Sequence, residues 1–166
     1  MDNMPHIVIY IMGVAGSGKT TIGKKLSAKT GYPFFDADDF HPQKNINKMK
    51  AGQPLTDEDR IPWLDNIHQF VSTHLRSGNV IMACSALKAI YRQRLSTGIE
   101  DQCRWVFLNG NYDTIRKRMQ ARKDHYMPAE LLQSQFDALE IPGQVIEIDI
   151  ENDPQKITAE ILSKIS

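Results

Sequence analysis

The stretch Gly13-Val14-Ala15-Gly16-Ser17-Gly18-Lys19-Thr20 decides the fold of this chain. It matches the phosphate-binding pattern G-x-x-x-x-G-K-[ST] at every fixed position. Its glycines let consecutive backbone N–H groups curl around a cluster of anionic oxygens, because no Cβ stands in the way. In this pattern the Lys19 ammonium reaches the β- and γ-phosphates of a nucleoside triphosphate, and the Thr20 hydroxyl holds Mg²⁺. The stretch therefore predicts a nucleotide-binding loop.

The sequence on either side of the loop supports this interpretation over a chance match in a glycine-rich segment. Residues 7–12 form an apolar run of the length of a buried strand, and Ile22 and Leu26 lie four residues apart, as on one face of a helix. Strand, glycine loop and helix is the setting that the pattern requires. The residues expected to bind the nucleotide in and beside the loop are Gly13, Val14, Ala15, Gly16, Ser17, Gly18, Lys19, Thr20 and Thr21.

Composition and charge narrow the class of protein. The length of 166 residues is typical of a single domain, 1–166, with a substantial core. Twenty basic residues balance twenty acidic ones, which argues against a protein that binds nucleic acid through bulk charge. No apolar run reaches the roughly 18 residues that a membrane span needs, and no signal peptide is visible. We therefore expect neither a nucleic-acid partner nor a membrane partner.

The two cysteines indicate a reducing cellular compartment. Cys84 and Cys103 are too few and too far apart for a disulfide framework or a zinc site. Cys84 lies in an apolar run, where a thiol behaves as a small hydrophobic side chain. A cytoplasmic protein is the expectation that follows.

Apolar runs alternate with segments of helical spacing along the chain. Strands are predicted at 6–12, 34–36, 80–84, 105–108 and 145–149. Helices are predicted at 19–29, after Thr56–Asp59 with Pro62 in the first turn and on to Leu75, at 89–95, around Ile115 and Met119, from Pro128 with Leu131, Leu132 and Phe136 as the apolar face, and from Pro154 to Ile165. Thr56–Asp59 resembles a capping sequence, whereas 41–52 has only weak helical spacing. This alternation predicts an α/β fold, with a parallel sheet covered on both faces. Right-handed crossovers then bring the loops that follow the strands to one edge.

Two carboxylates are the expected partners of the metal and of the acceptor. The third strand ends in Ala83-Cys84-Ser85 without an acid, so Asp36 and Asp38 after the second strand are the substitutes. Side chains two residues apart at the end of an extended run share a face. Asp36 would hold Mg²⁺ through water, and Asp38 would orient or deprotonate an acceptor hydroxyl. The alternative is a solvated loop or a helix cap.

Basic residues are expected to supply the positive charge of the site. Five of the eight residues in 116–123 are basic, and Arg118 and Arg122 lie four apart on one helical face. They suit a closing lid that neutralises the transferring phosphoryl group, although most charge runs are solvated helix faces. Cations at the ligand edge of the sheet, each by itself typical of a surface charge, together suit a small anionic, polyhydroxylated acceptor: His41, Lys48, Arg60, Lys88 and Arg92.

On these residues and others the chain resembles the gluconate kinases, small P-loop carbohydrate kinases related to the shikimate and nucleoside-monophosphate kinases. The matching blocks lie at Gly13–Thr20, at Asp36–Pro42 with Asn45, Lys48-Met49, Gly52–Leu55, Asp57, Asp59-Arg60 and Pro62–Leu64, at Ala83–Lys88 with Tyr91-Arg92, and at Arg118, Arg122, His125, Met127-Pro128, Leu131-Leu132, Ser134–Phe136, Leu139-Glu140 and Pro142. Ala37 and Tyr126 depart from the usual Gly and Phe.

This resemblance implies a three-layer P-loop NTPase fold with a five-stranded parallel sheet in the order 2-3-1-4-5 and a mobile lid at about 118–130. It implies phosphorylation of D-gluconate to 6-phospho-D-gluconate with ATP and Mg²⁺, frequently in a homodimer. The expected catalytic residues are Lys19, Asp38 and Arg122, with Arg118 at the nucleotide and Thr20 and Asp36 at the metal. Which of the two lid arginines covers adenine and which contacts the γ-phosphate stays open. The expected substrate residues are Asp38, His41, Lys48, Arg60, Ser85, Lys88 and Arg92.

Three alternatives remain open. One is a kinase for another small acceptor, such as shikimate or a nucleotide. A GTP-dependent switch would need an Asn-Lys-x-Asp element, and Asn47-Lys48-Met49-Lys50 lacks the aspartate. The third is a catalytically silent ATP-binding module, against which the intact set of Lys19, Thr20 and Asp38 argues.

Overall fold

A computed structural model describes residues 4–121 and 129–165 of the chain. Its strands are β1 (Val8–Met12), β2 (Phe34–Asp36), β3 (Val80–Ala83), β4 (Cys103–Asn109) and β5 (Ile146–Asp149). They form a five-stranded sheet in the order β2-β3-β1-β4-β5, and every neighbouring pair is parallel. The predicted sheet and its strand order are confirmed.

Seven helices connect and cover the strands in the described residues. They are α1 (Lys19–Thr30), α2 (Gln43–Lys50), α3 (Asp57–His74), α4 (Ala89–Ser96), α5 (Tyr112–Ala121), α6 (Ala129–Ala138) and α7 (Pro154–Lys164), with short 3₁₀ helices at Ala37–Phe40 and Glu100–Gln102. The predicted helices are confirmed, and α2 occupies the segment whose spacing was weak. Within the described ranges, no helix is long and apolar enough to span a membrane.

The sheet separates two apolar layers. All residues of β1 and β3 are buried, as expected for central parallel strands covered on both faces. On one face the core contains Trp63, Leu64 and Ile67 of α3 and Tyr91 and Leu95 of α4. On the other face it contains Ile22, Leu26, Ile115, Leu132, Ile157 and Ile161, from α1, α5, α6 and α7. Cys84 is buried, as expected of a core filler.

One expectation about α6 is wrong, and the predicted lid lies partly outside the described residues. The apolar face of α6 was predicted to include Leu131, but this side chain is 38% exposed, so that part of the prediction is wrong. The lid predicted at about 118–130 includes 122–128, which lie outside the described residues, and Arg122 is among them. The structure describes only the ends of that segment, which belong to α5 and α6.

The start of α3 is held by a reciprocal cap. The Thr56 hydroxyl accepts from the backbone N–H of Asp59, and the Asp59 carboxylate accepts from the backbone N–H of Thr56. The same carboxylate receives the Lys48 ammonium at 2.7 Å, which holds the pKa of Asp59 well below its usual range. This cap joins α2 to α3 beside the sheet edge.

Replacing the capping threonine tests this join. Thr56→Ala removes the hydroxyl acceptor of the Asp59 N–H, so we expect a loss of about 1 kcal/mol. A loss of that size lowers Tm by about 2–4 °C in a domain of this length. Thr56→Ser is the matched control because it keeps the hydroxyl. Thermal unfolding of the three proteins checks the prediction, and equal Tm values for the Ala and Ser variants would contradict it.

Candidate active site

The loop between β1 and α1 has the backbone that phosphate binding requires. Gly13, Gly16 and Gly18 have φ values of 150°, 80° and 101°. A Cβ on Gly13 would lie 2.7 Å from the Ser17 hydroxyl and 3.0 Å from the Leu108 carbonyl oxygen, so a larger residue does not fit there. The loop is therefore built from backbone groups instead of side chains, as a phosphate cradle must be.

Lys19 holds its ammonium over the start of this loop. Its Nζ donates to the carbonyl oxygens of Gly13 and Val14 at 2.9 and 3.0 Å. Burial lowers the pKa of Lys19, and the negative charges of Asp38 and Asp36 act against that shift. In the described part of the chain Lys19 forms no ion pair. Its charge is thus available for an anionic ligand, because neutral carbonyls hold it.

Ser17 adds an observation that points to a ligand. Its hydroxyl oxygen is buried and has no hydrogen-bond partner among the described residues. Buried hydroxyls in folded proteins are nearly always paired, so an orphan in the loop suits a polar group supplied by a ligand. The loop glycines and this hydroxyl fit a bound nucleotide phosphate.

A cleft of about 480 Å³ opens beside the loop. The side chains lining it include Lys19 and Thr20 from the loop, Asp36 and Asp38 from the end of β2, and Ser85 from the segment after β3. Asp36 lies opposite Ala83 in the β2–β3 pairing, which brings the two segments together. The structure therefore places these five predicted residues around one cavity.

A smaller cavity of about 160 Å³ lies beside the same loop. Arg118 and Thr21 line it, together with Ile150, Pro154 and further residues of the β5–α7 region. The Arg118 guanidinium donates to the carbonyl oxygen of Ile150 at 2.7 Å, which fixes its plane at the cavity wall. Apolar side chains and a guanidinium plane suit a flat heteroaromatic ring.

The two carboxylates after β2 differ in environment. An Asp36 oxygen accepts from the Asp38 backbone N–H at 2.9 Å and caps the 3₁₀ helix that follows. Burial and the neighbouring charge of Asp36 raise the pKa of the Asp38 carboxyl, while Lys19 opposes the shift. A raised pKa makes Asp38 a better proton acceptor than an ordinary aspartate.

A metal at this site would have few ligands from the protein. The described residues contain no cluster of three or more His, Cys, Asp or Glu side chains that could hold a metal. The Thr20 hydroxyl and the Asp36 carboxylate both line the cleft. Mg²⁺ is usually held by one or two protein oxygens together with substrate phosphates and water, and these two side chains meet that need.

His41 is not a cation. Its ring stacks on Trp63 with centroids 4.3 Å apart, and its Nδ1 lies 3.2 Å from the Asn45 amide nitrogen. Burial, followed by the positive charge of Arg60, lowers the pKa of His41 to about 4. The expectation that His41 adds positive charge is therefore wrong, because the imidazole is neutral near pH 7.

Arg60 and Lys88 meet around Tyr91. The Lys88 ammonium donates to Asp57 at 3.0 Å, and the Tyr91 hydroxyl donates to the same carboxylate. The Arg60 guanidinium lies 5.4 Å from the centre of the Tyr91 ring and donates to the Leu55 carbonyl oxygen. Two of the predicted substrate cations therefore share one cluster.

Lys48 and Arg92 have protein partners elsewhere. Lys48 forms the ion pair with Asp59 that ties α2 to α3. The Arg92 guanidinium donates to the carbonyl oxygens of Ala86 and Glu140 at 2.7 and 2.9 Å. Neither residue is among those that line the two cavities, and the same holds for His41, Arg60 and Lys88.

The sequence assigned no role to three residues that the structure places in or beside the site. The Gln135 amide oxygen accepts from the backbone N–H of Ala15 in the loop at 2.7 Å. Asp57 and Tyr91 join Arg60 and Lys88. All three fall within the blocks that resemble gluconate kinases. A neutral amide or a phenol, however, carries no charge pattern that identifies a site from sequence.

Known proteins share this sequence and fold. The shikimate kinase family profile matches residues 15–165. The thermosensitive gluconokinase of Escherichia coli (strain K12) is 44% identical over 153 residues, covering 89% of this chain and 81% of the relative. A probable gluconokinase of Xenopus tropicalis is 40% identical over 177 residues, covering 96% and 93% of the two chains. A gluconokinase crystal structure from Sinorhizobium meliloti 1021 superimposes with a TM-score of 0.85 at 39% identity, covering 96% of this chain and 90% of the other.

Nearly the whole chain takes part in these matches, and the family profile includes the phosphate loop from Ala15 onward, the Asp36–Asp38 segment and the Ser85 segment. The P-loop kinase fold and the phosphotransferase class follow. The chain belongs to the gluconokinases, within the wider shikimate kinase family.

Proposed function

We propose that this protein transfers the γ-phosphoryl group of ATP to the terminal hydroxyl of D-gluconate, forming 6-phospho-D-gluconate. The observation that carries the proposal is the cleft that the Lys19 ammonium and the Asp38 carboxylate both line. One group suits the phosphate donor and the other suits a hydroxyl acceptor. The gluconokinase relatives support the choice of acceptor.

The donor side is assigned to the loop and its neighbours. Backbone N–H groups of residues 13–21 hold the phosphates, and Lys19 moves its ammonium from the two loop carbonyls to the β- and γ-phosphate oxygens. Mg²⁺, when bound, neutralises phosphate charge, and Thr20 and Asp36 are the residues that would hold it. Arg118 covers the adenine in the smaller cavity. Arg122 stabilises charge on the transferring group in this proposal.

The acceptor side is assigned to the other wall of the cleft. Asp38 orients the terminal hydroxyl and accepts its proton, for which its raised pKa is suited. A carboxylate binds well to a guanidinium fork, so Arg60 is the proposed partner of the substrate carboxylate, with Lys88 beside it. Ser85, neutral His41 and Lys48 complete the proposed substrate set, and Arg92 supports it through the carbonyl oxygens of Ala86 and Glu140.

The resemblance further suggests a homodimer, and the two cysteines suggest a cytoplasmic location, so we include both in the proposal.

A panel of acceptors tests the proposed substrate. ADP release with ATP and Mg²⁺ is measured with D-gluconate, other sugar acids, shikimate and nucleoside monophosphates. We expect kcat/KM to be highest for gluconate, because Asp38 in the cleft can accept the proton of a hydroxyl and the Arg60–Lys88 cluster can bind a carboxylate. Higher kcat/KM for shikimate or for a nucleotide would overturn the substrate assignment. ATP binding without turnover on any acceptor would indicate a silent module.

The pH dependence of kcat/KM tests the role of Asp38. The carboxyl must be ionised to accept a proton, and its pKa is raised above the ordinary 3.8. Activity should therefore fall as the pH drops through a value above 3.8. Asp38→Asn should lower kcat by about 10²–10⁴ and remove this acid limb from the profile.

A second variant separates Asp38 from its neighbour. The pKa of His41 is about 4, so protonation of its ring also falls in the acid range. His41→Gln should keep the acid limb at its original midpoint. If this variant loses the limb while Asp38→Asn keeps it, the assignment of the base is wrong.

A further inference from the structure

Ala86 has an unusual backbone conformation beside the cleft. Its φ is 44°, and it is the only non-glycine residue with positive φ in the described part of the chain. This region is sterically unfavourable for a residue with a Cβ, and such conformations persist only where the surroundings hold them. Ala86 is completely buried and follows Ser85, which lines the cleft. Interactions with neighbouring residues must therefore stabilise the backbone conformation of Ala86.

Arg92 is placed to hold it. One guanidinium nitrogen donates to the carbonyl oxygen of Ala86 at 2.7 Å, and another donates to the carbonyl oxygen of Glu140 at 2.9 Å. The two carbonyls belong to segments that are far apart in sequence. A guanidinium can serve both because its donors form a rigid planar fork, which the single ammonium of lysine cannot reproduce.

Glu140 strengthens the same turn from the other side. Its backbone N–H donates to the Leu87 carbonyl oxygen at 2.8 Å, and its carboxylate accepts from the Ala89 N–H at 2.9 Å, at the start of α4. Together with the bonds from Arg92, four hydrogen bonds join Glu140 and Arg92 to residues 86–89 and to each other. Residues 85–88, here called the acceptor turn, are thus anchored to the end of α6.

The acceptor turn and α6 also contact the phosphate loop. The Ser85 carbonyl oxygen accepts from the Gly13 N–H at 3.3 Å, and Gln135 of α6 accepts from the Ala15 N–H at 2.7 Å. A shift of the acceptor turn would therefore displace Ser85 and Lys88. It would also displace Gly13, the first glycine of the phosphate loop, through the bond to the Ser85 carbonyl oxygen.

We propose that Arg92 is a positioning residue, which holds Ala86 in its left-handed conformation and thereby places Ser85 and Lys88 for the acceptor, without contacting the substrate. The inference rests on the proposed function, since the acceptor is the substrate whose turnover is measured. It differs from a direct role in substrate binding, because Arg92 acts through the backbone of the acceptor turn.

A double-mutant comparison separates positioning from direct contact. Arg92→Met removes both hydrogen bonds and should lower kcat/KM for gluconate at least tenfold. Adding Ala86→Gly should recover at least a third of the lost activity on a logarithmic scale, because glycine adopts a φ of 44° without a Cβ clash. A residue that bound the substrate would not be replaced by a change in backbone preference.

The controls lie on the same helix and at the same turn. Arg94→Met is the matched arginine control, since Arg94 is exposed and its ion pair in the described part of the chain is with Asp65 on the surface. The kcat/KM of this variant should stay within about twofold of wild type. Ala86→Gly alone should retain activity within a similar range. If Arg92→Met does not fold, Arg92→Lys replaces it in the same comparison, because it too lacks the fork.

The outcomes are distinct. Recovery by Ala86→Gly supports the proposal, whereas a double variant no more active than its Arg92 parent, or an Arg92 variant with wild-type activity, overturns it. If the wild-type protein itself shows no gluconate-dependent ADP release, the proposed function fails. In that case, amide hydrogen exchange at Ala89 and Glu140, whose N–H groups donate the bonds that join the acceptor turn to Glu140, still decides the positioning role. Faster exchange of these amides in the Arg92 variant, slowed again when Ala86→Gly is added, supports the positioning role. Unchanged exchange in the Arg92 variant overturns it.

Discussion

The peptide N–H groups between Gly13 and Thr20 must line one concave surface, and the rest of the structure depends on that requirement. A Cβ on Gly13 would meet Ser17 and the Leu108 carbonyl, so the loop lies directly against the end of β4. Such a loop needs rigid support, because its polar groups point into a cavity and away from the core. The buried strand β1 on one side and α1 on the other provide that support.

The position of the loop in the sheet brings the donor and the acceptor together. β1 lies next to β3, and β3 lies next to β2, so the segments after all three strands end at one edge. This arrangement puts the Asp38 carboxylate and the Lys19 ammonium on one cleft without an ion pair between them. Their charges stay available for the substrates, whereas Lys48 and Asp59 neutralise each other in a structural pair.

Much of the fold could be predicted from the sequence because its signals are local. The capping residues before α3 and the repeat of Leu64, Ile67 and Val71 identify that helix, and those three side chains are buried. The pattern of α2 was weaker because its support is tertiary. Asn45, its buried residue, donates to the Asp59 carbonyl oxygen of α3.

The sequence predicts which residues form the candidate site better than it predicts their protonation states and hydrogen-bond partners. The motif and the two acids after β2 identify one cavity because strand order places them there. The sequence could not reveal that His41 is neutral, since its pKa depends on burial against Trp63 and on the charge of Arg60. Nor could it show that Arg92 binds carbonyls from two distant segments, because hydrogen bonds to backbone leave no charge pattern.

The central claim is that one cleft holds both substrates, with Asp38 between them. A crystal structure of the protein with Mg²⁺, a non-hydrolysable ATP analogue and D-gluconate tests it most directly. The expected result places the terminal hydroxyl of gluconate within hydrogen-bond distance of the Asp38 carboxylate and the γ-phosphate analogue on the Lys19 side of the cleft. Gluconate bound outside this cleft, or bound with its carboxylate instead of its terminal hydroxyl against Asp38, would contradict it.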